Sequence, residues 1–206
     1  MKYYPTVDEE WNQIHSQDLW VYNKLFLSRV LGYNCGPFGT SAPKPDYYII
    51  RPSINLMGMG LFARKRFIFP QDENFFEDYG MNPAEFWSEI FTGEHLSVDF
   101  QNRESKLVVL GTRDSEDIYY KWNKWEKIEK KVEFPSILKD LKGDYEWINC
   151  EFIGDKLIEV HFRRNPDFKY GNSIAIPIWE GESTKTYDDY KFIDSKDDKR
   201  IGFLVK

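Results

Sequence analysis

Residues 147–163 read WINCEFIGDKLIEVHFR, and the rest of the chain can be organised around this stretch. Gly154-Asp155 is a turn signal between two runs rich in apolar residues, so the segment reads as a hairpin of roughly 145–153 and 156–163. Side chains two apart share one face of a strand, which puts Glu159, His161 and Arg163 together, with Glu151 joining them from the neighbouring strand. Two carboxylates, an imidazole and a guanidinium on one sheet face are groups from which a Mg²⁺-nucleotide site can be built. The same alternation of acidic and apolar residues also fits the solvent face of an amphipathic hairpin.

Composition sets the frame for that hairpin. A chain of 206 residues with 17% aromatic and 30% charged side chains reads as one folded domain with a substantial core. The net charge of −6 argues against nonspecific binding to nucleic acid or to an anionic membrane. Cys35 and Cys150 stand far apart in no metal or redox spacing and read as reduced thiols. The amino terminus MKYYPTVDEEW has no apolar stretch, and no segment reaches membrane-spanning length, so the expected setting is cytoplasmic.

Along the chain, residues 7–31 read as helical in two pieces, with Asp18 as N-cap of the second and Gly32 as its stop. Residues 32–46 are dense in Gly and Pro and read as loop. Strands are expected at 47–51, 61–69, 96–101, 106–111 and 118–122, and short helices at 83–87 (Pro83 first) and 134–141. The acidic tail holds two apolar runs, 174–179 and 201–205, and reads as peripheral strands and loops. The expected class is α+β, with antiparallel sheets, flanking helices and a short helical N-terminal segment. The expected division is a helical segment and Gly/Pro loop over 1–44, a core over 45–170, and an acidic tail over 171–206 packed on that core.

Three segments in order resemble the nucleotide-binding half of the ATP-grasp superfamily. The first, YYIIRPSINLMGMG, is similar to the family's strand ending in a basic residue and followed by a glycine-rich phosphate loop, with Arg51 where Lys is usual. The second, SEIFTGEHLSVDF, is similar to the family's hinge, with His95 at the position of the ribose-binding Glu and Glu94 beside it as a substitute. The third is the opening hairpin, similar to the family's paired strands with an acidic residue on one and Glu-x-Asn-x-Arg on the other, where His161 replaces Asn. Only residues 1–44 precede the first segment, so the chain looks like a shortened, divergent member. Residues 20–37, WVYNKLFLSRVLGYNCGP, also resemble proteins of bacterial viruses, which implies nothing about function.

The resemblance implies an ATP-grasp-like fold with ATP and Mg²⁺ as cofactors. It implies a carboxylate–amine (or thiol) ligase that works through an acyl phosphate on a small-molecule or peptide acid. A catalytically degenerate nucleotide-binding or interaction protein is the alternative. Arg51, Met57, Gly58, Gly60 and Lys65 would receive the phosphates, with Arg64 as a further donor. Glu89, Ile90, Phe91, Glu94 and His95 would hold the nucleoside, with Ile49 and Phe67 helping to line the adenine slot. Glu151, Glu159 and His161 would hold the metal, and Arg163 and Arg113 would stabilise charge on the transferred group. Each feature has a plainer reading: Arg51 as a structural cation, Gly58 and Gly60 as hairpin turns, and the Trp122–Trp125 cluster as core aromatics or, with its lysines, a nucleobase-stacking surface.

Overall fold

The computed structural model describes residues 14–54, 62–70, 81–114, 119, 121–168, 171–182, 189–197 and 199–206. A four-stranded sheet contains β1 (Cys35–Pro37), β2 (Asp46–Pro52), β3 (Arg64–Ile68) and β4 (Glu85–Glu89) in the order β1-β4-β2-β3. An eight-stranded sheet contains β5 (His95–Gln101), β6 (Glu104–Thr112), β7 (Lys124–Lys127), β8 (Trp147–Ile153), β9 (Lys156–His161), β10 (Ile174–Trp179), β11 (Lys191–Asp197) and β12 (Arg200–Val205). Its order is β11-β12-β10-β7-β6-β5-β8-β9, and every pairing in both sheets is antiparallel. Two sheets with few helices match the α+β expectation.

The opening hairpin forms as read, with Glu151 directly opposite Glu159 and Asn149 opposite His161. A bulge between Glu151 and Phe152 breaks the register just beyond that pair, and bulges re-aim the side chains beside them. Apolar residues from alternate positions of β5, β6, β8 and β9, including Val98, Phe100, Ile148, Cys150 and Val160, fill the main core with Val21 and Leu27 from the N-terminal segment. A second core, with Trp125, Phe168, Ala175, Phe203 and Val205, lies where β10 and β12 continue the sheet. The two acidic-tail runs are therefore strands hydrogen-bonded into the large sheet, β10 to both β7 and β12.

The N-terminal segment is a 3-10 helix, Ser16–Tyr22, followed by α1, Lys24–Val30. Asn23 caps α1, its Oδ1 accepting from the Phe26 amide at 2.9 Å, and Lys24, Leu27 and Ser28 form the buried stripe at helical spacing. Asp18 is not an N-cap. It is buried and accepts hydrogen bonds from the Lys142 and Gly143 amides and the Tyr145 hydroxyl, which staples the segment to the loop before β8. Burial works against its ionisation, but those three donors outweigh it and hold the carboxyl below its ordinary value. The piece expected from residue 7 lies mostly outside the described residues.

Other elements differ from the sequence expectation. The helix expected from Pro83 is instead β4, paired on both sides and buried almost throughout, with Trp87 in the small-sheet core and Phe86 against the Arg51 guanidinium. Sheet pairing overrides the local helix signal there. Residues 118 and 120 of the strand expected at 118–122 lie outside the described residues, Trp122 packs its ring on Trp125 and His95, and β7 begins at Lys124. The helix expected over 134–141 shrinks to a 3-10 turn, Ser136–Leu138. β1 forms inside the Gly/Pro-rich loop. Among the described residues no helix is long and apolar enough to cross a membrane.

Candidate functional site

A cleft of about 1040 Å³ is lined by residues of both sheets, by the 90–94 connection between β4 and β5, and by β10 to β12. The lining includes Arg51, Lys65, Glu89, Ile90, Phe91, Glu94, His95, Arg113, Glu151, Glu159, His161 and Arg163, so the sequence brings these candidates to one place. Met57, Gly58 and Gly60 lie outside the described residues.

On the large-sheet wall, charges are matched internally. Glu159 has one carboxylate oxygen 2.9 Å from Lys24 Nζ and the other 3.0 Å from His161 Nε2. All three side chains are largely buried, at 14%, 6% and 5% exposure. Burial opposes the Glu159 charge, but the Lys24 ammonium and the His161 ring prevail and hold the carboxyl well below the usual range. Glu151, opposite it in the ladder, lies 3.2 Å from His95 Nε2. His95 is wedged against Trp122 and Trp125, ring centroids 4.5 and 5.8 Å away.

The small-sheet wall contrasts with this. Arg51, at the end of β2, stacks its guanidinium 5.1 Å from the Phe86 ring centre. Burial pushes the guanidinium below its ordinary value, against the pull of Glu159 and Glu151. Among the described residues, Arg51 Nε and Ser88 Oγ are buried without a hydrogen-bond partner, as is His95 Nδ1 across the cleft. Buried donors without acceptors are uncommon and mark a place where another group is expected to supply the acceptor. Lys65, on β3, sits over the Tyr47 ring at 4.8 Å while lining the same cleft.

The connection between the sheets is fixed by close backbone approach. Gly93, at φ +120°, leaves room for only 2.9 Å between an added Cβ and Gly154 Cα, and Gly154 donates its N–H to the Glu94 carbonyl at 2.8 Å. Glycine is required at both ends of that contact. The Glu89 carboxylate accepts from the Asn34 amide and side chain at 2.9 and 3.2 Å, and Phe91 meets Tyr33 edge-on at 4.7 Å. The backbone and side chains of Ile90 and Phe91 thus reach the cleft from an anchored segment.

Several of the expected side chains also make other contacts. Arg64 is clamped on buried Glu85 by two bonds of 2.6 and 2.8 Å and does not line the cleft. Phe67 packs with exposed Tyr47 and Phe69 outside it, so it does not line an adenine slot. Glu94 pairs with Lys130 at 2.6 Å on the rim. Arg113 stacks on Tyr119 and Trp122 at 4.7 and 5.2 Å. Cys35 and Cys150 are free thiols, and burial pushes both up.

Sequence reasoning missed four contributors to the site. Lys24 lies on the buried helical stripe it shares with Leu27 and Ser28, and a lysine at helical spacing from Leu27 is the signal for it. Asn149 donates to Ser97 Oγ and Asp99 Oδ1, both at 2.9 Å, and Asn165 donates to the same two acceptors at 2.9 and 2.7 Å, which makes a buried polar floor. Burial pushes the Asp99 carboxyl up despite those bonds. Arg200, from β12, reaches the cleft while paired to Asp167 at 3.3 Å. Asn165 and Arg200 sit in segments without a local motif, so only the fold shows their position.

The expected metal set does not form a ready divalent-cation site. Among the described residues no three His, Cys, Asp or Glu side chains converge as a metal-binding group. An ammonium and an imidazole already hold the two Glu159 oxygens that a hard cation would need. The chemistry present is a basic, partly apolar cleft with the unpartnered Arg51 Nε and Ser88 Oγ on one wall and matched carboxylates on the other.

No protein-family model matches the chain, and no curated protein sequence does. Solved structures do. An L-amino acid ligase from Bacillus licheniformis superposes with a TM-score of 0.56 at 10% identity, over 92% of this chain and 67% of that one. An N5-carboxyaminoimidazole synthase from Aspergillus clavatus, in complex with ADP and 5-aminoimidazole ribonucleotide, gives 0.50 at 9% identity, over 90% and 68%. A putative ATP-grasp superfamily protein from Archaeoglobus fulgidus gives 0.45 at 14% identity, over 91% of this chain and 63% of that structure. The chain thus spans about two thirds of the length of these structures. It has an α+β, ATP-grasp-like fold with its cleft between two antiparallel sheets.

Proposed function

We propose that the cleft binds an adenine nucleotide and that the chain uses ATP to join a carboxylic acid to an amine or thiol. The observation that carries the reading is the Arg51 guanidinium, buried in the cleft wall with Nε lacking an acceptor among the described residues. A planar guanidinium in that position suits phosphate oxygens, and Ser88 Oγ and Lys65 lie on the same wall. Ile49, Ile90 and Phe91 offer the apolar edge that a base needs, and the backbone of 89–91 offers its hydrogen-bonding groups. The reading is in keeping with the fold, which an L-amino acid ligase and a synthase solved with ADP share.

In this reading Arg51 and Lys65 hold the phosphate chain against the small sheet. Arg163 and Arg113 face it from the far side and stabilise charge on the transferred phosphoryl and on the acid that receives it. The buried Asn149–Ser97–Asp99–Asn165 floor keeps that end of the cleft rigid and polar. Mg²⁺ would enter as part of the MgATP substrate, and no step is assigned to a cation at Glu159. A second reading, nucleotide binding without turnover, is favoured by the closed Lys24–Glu159–His161 cluster.

Isothermal titration with ATP and Mg²⁺ tests the binding claim, and saturable one-to-one binding below millimolar concentration is expected. ADP release in mixtures of candidate acids and amines then separates ligase from binder. No heat at millimolar ATP would remove both readings.

A further inference from the structure

We infer that Lys24 supplies, from within the chain, the positive charge that a divalent cation would bring to Glu159, so that nucleotide binding in this cleft does not require a divalent metal. The inference rests on the nucleotide-binding reading above.

The geometry of Lys24 carries it. Its Nζ lies 2.9 Å from Glu159 Oε2, and its side chain is 6% exposed although it lines the cleft. His161 Nε2 takes the other oxygen at 3.0 Å, so neither Glu159 oxygen faces the cleft without a donor beside it. A hard cation needs oxygen ligands in an open shell, and here it would have to displace a buried ammonium or sit against it. Taking Lys24 off Glu159 would leave a buried charge unpaired, which is strongly disfavoured.

Lys24 is also held in place from both sides of the cleft. Its backbone N–H donates to the Ser53 carbonyl at 2.8 Å, just past the end of β2 that carries Arg51. Its side chain reaches Glu159 on β9 of the large sheet. Leu27 and Ser28, buried on the same helical stripe, fix the orientation of α1. The ammonium is therefore a permanent part of the cleft wall rather than a surface charge that happens to fall near it. Glu151, the remaining carboxylate of the expected set, lies 3.2 Å from His95 Nε2. Arg51 feels the charge of both carboxylates from the opposite wall. Lys24 and His161 on Glu159, and His95 on Glu151, thus occupy the two acids that would otherwise recruit a metal.

The test compares ATP binding by calorimetry in EDTA and in excess Mg²⁺, using the wild-type chain. The expected result is binding in EDTA with a Kd within about threefold of that in Mg²⁺. Binding in Mg²⁺ that disappears in EDTA overturns the inference and leaves the nucleotide-binding reading standing. Absence of binding in both overturns that reading, and the inference with it. Mn²⁺ binding followed by electron paramagnetic resonance adds a readout independent of nucleotide. Wild type is expected to show no Mn²⁺ site in the micromolar range, and Lys24→Met is expected to gain one that Lys24→Met/Glu159→Gln lacks. Tight Mn²⁺ binding by wild type that Glu159→Gln abolishes overturns the inference even if the Lys24→Met chain does not fold.

Discussion

The two walls of the cleft solve the problem of buried charge in opposite ways. On the large sheet, Glu159 is shared between Lys24 and His161, and Glu151 lies against His95. On the small sheet, Arg51 and Ser88 carry buried polar atoms for which no described residue provides a partner. On the first wall the carboxylates are matched as folded, although His95 Nδ1 stays buried without a partner among the described residues. The proposed ligand would complete the second, and a guanidinium beside a hydroxyl suits an anionic one. Acidic residues in a motif position are therefore not evidence of a metal until their neighbours are known.

Replacing Glu159 by Ala breaks the matched wall and should have the largest effect. It strands the buried Lys24 ammonium, and a loss of about 3 to 5 kcal/mol in urea-unfolding stability is expected. A double replacement, Glu159→Leu with Lys24→Met, removes both charges and should recover most of that loss. If Glu159→Ala is as stable as wild type, the ion pair is not the structural element described. Arg51→Met breaks the other wall. Nucleotide affinity should fall by about tenfold to a hundredfold, the worth of a charge-assisted hydrogen bond, with a smaller stability change than Glu159→Ala. The opposite ranking in stability would reverse the assignment of the two walls.

Asp18 sharpens the comparison, because it anchors the segment that delivers Lys24 to the large sheet. Asp18→Ala leaves the Lys142 and Gly143 amides unmatched and should cost about 1 to 3 kcal/mol. Because the folded-state carboxyl is held below its ordinary value, its contribution is fully present above a pH of about 4. It is lost as pH falls through the folded value, so Asp18→Asn should flatten that part of the acid-unfolding profile. An effect of similar or smaller size is expected at the hinge. Gly93→Ala places a side chain at φ +120° against Gly154 and should cost about 1 to 3 kcal/mol, toward the lower end if the turn shifts. Nucleotide affinity should change with it if the hinge positions the base.

Much of this arrangement was legible in the sequence, and the exceptions have physical reasons. The 147–163 hairpin could be read because strand alternation and a Gly-Asp turn fix both register and face, and Glu151 does stand opposite Glu159. The segment around Arg51 and the hinge could be read only through the resemblance of their motifs, in order, to the ATP-grasp pattern. The role of Lys24 could not, since its partner lies far along the chain and only the packing of α1 on β9 brings them together. For the same reason Glu159 looked open to a metal. β4 was misread as a helix because Pro83 is a strong local start signal, whereas its pairing with β1 and β2 is set by residues distant in sequence. Asn149 and Asn165 depend on the same long-range assembly, through Ser97 and Asp99.

The central claim is that a nucleotide lies between the two sheets with its base at the 89–93 hinge. Photolabelling with an azido-adenine analogue of ATP, followed by peptide mapping, tests it most directly. The account predicts labelling in the peptide containing Ile90 to Gly93, abolished by excess ATP and weakened in Arg51→Met. Labelling confined to a surface away from the cleft, or labelling that ATP does not displace, would contradict it.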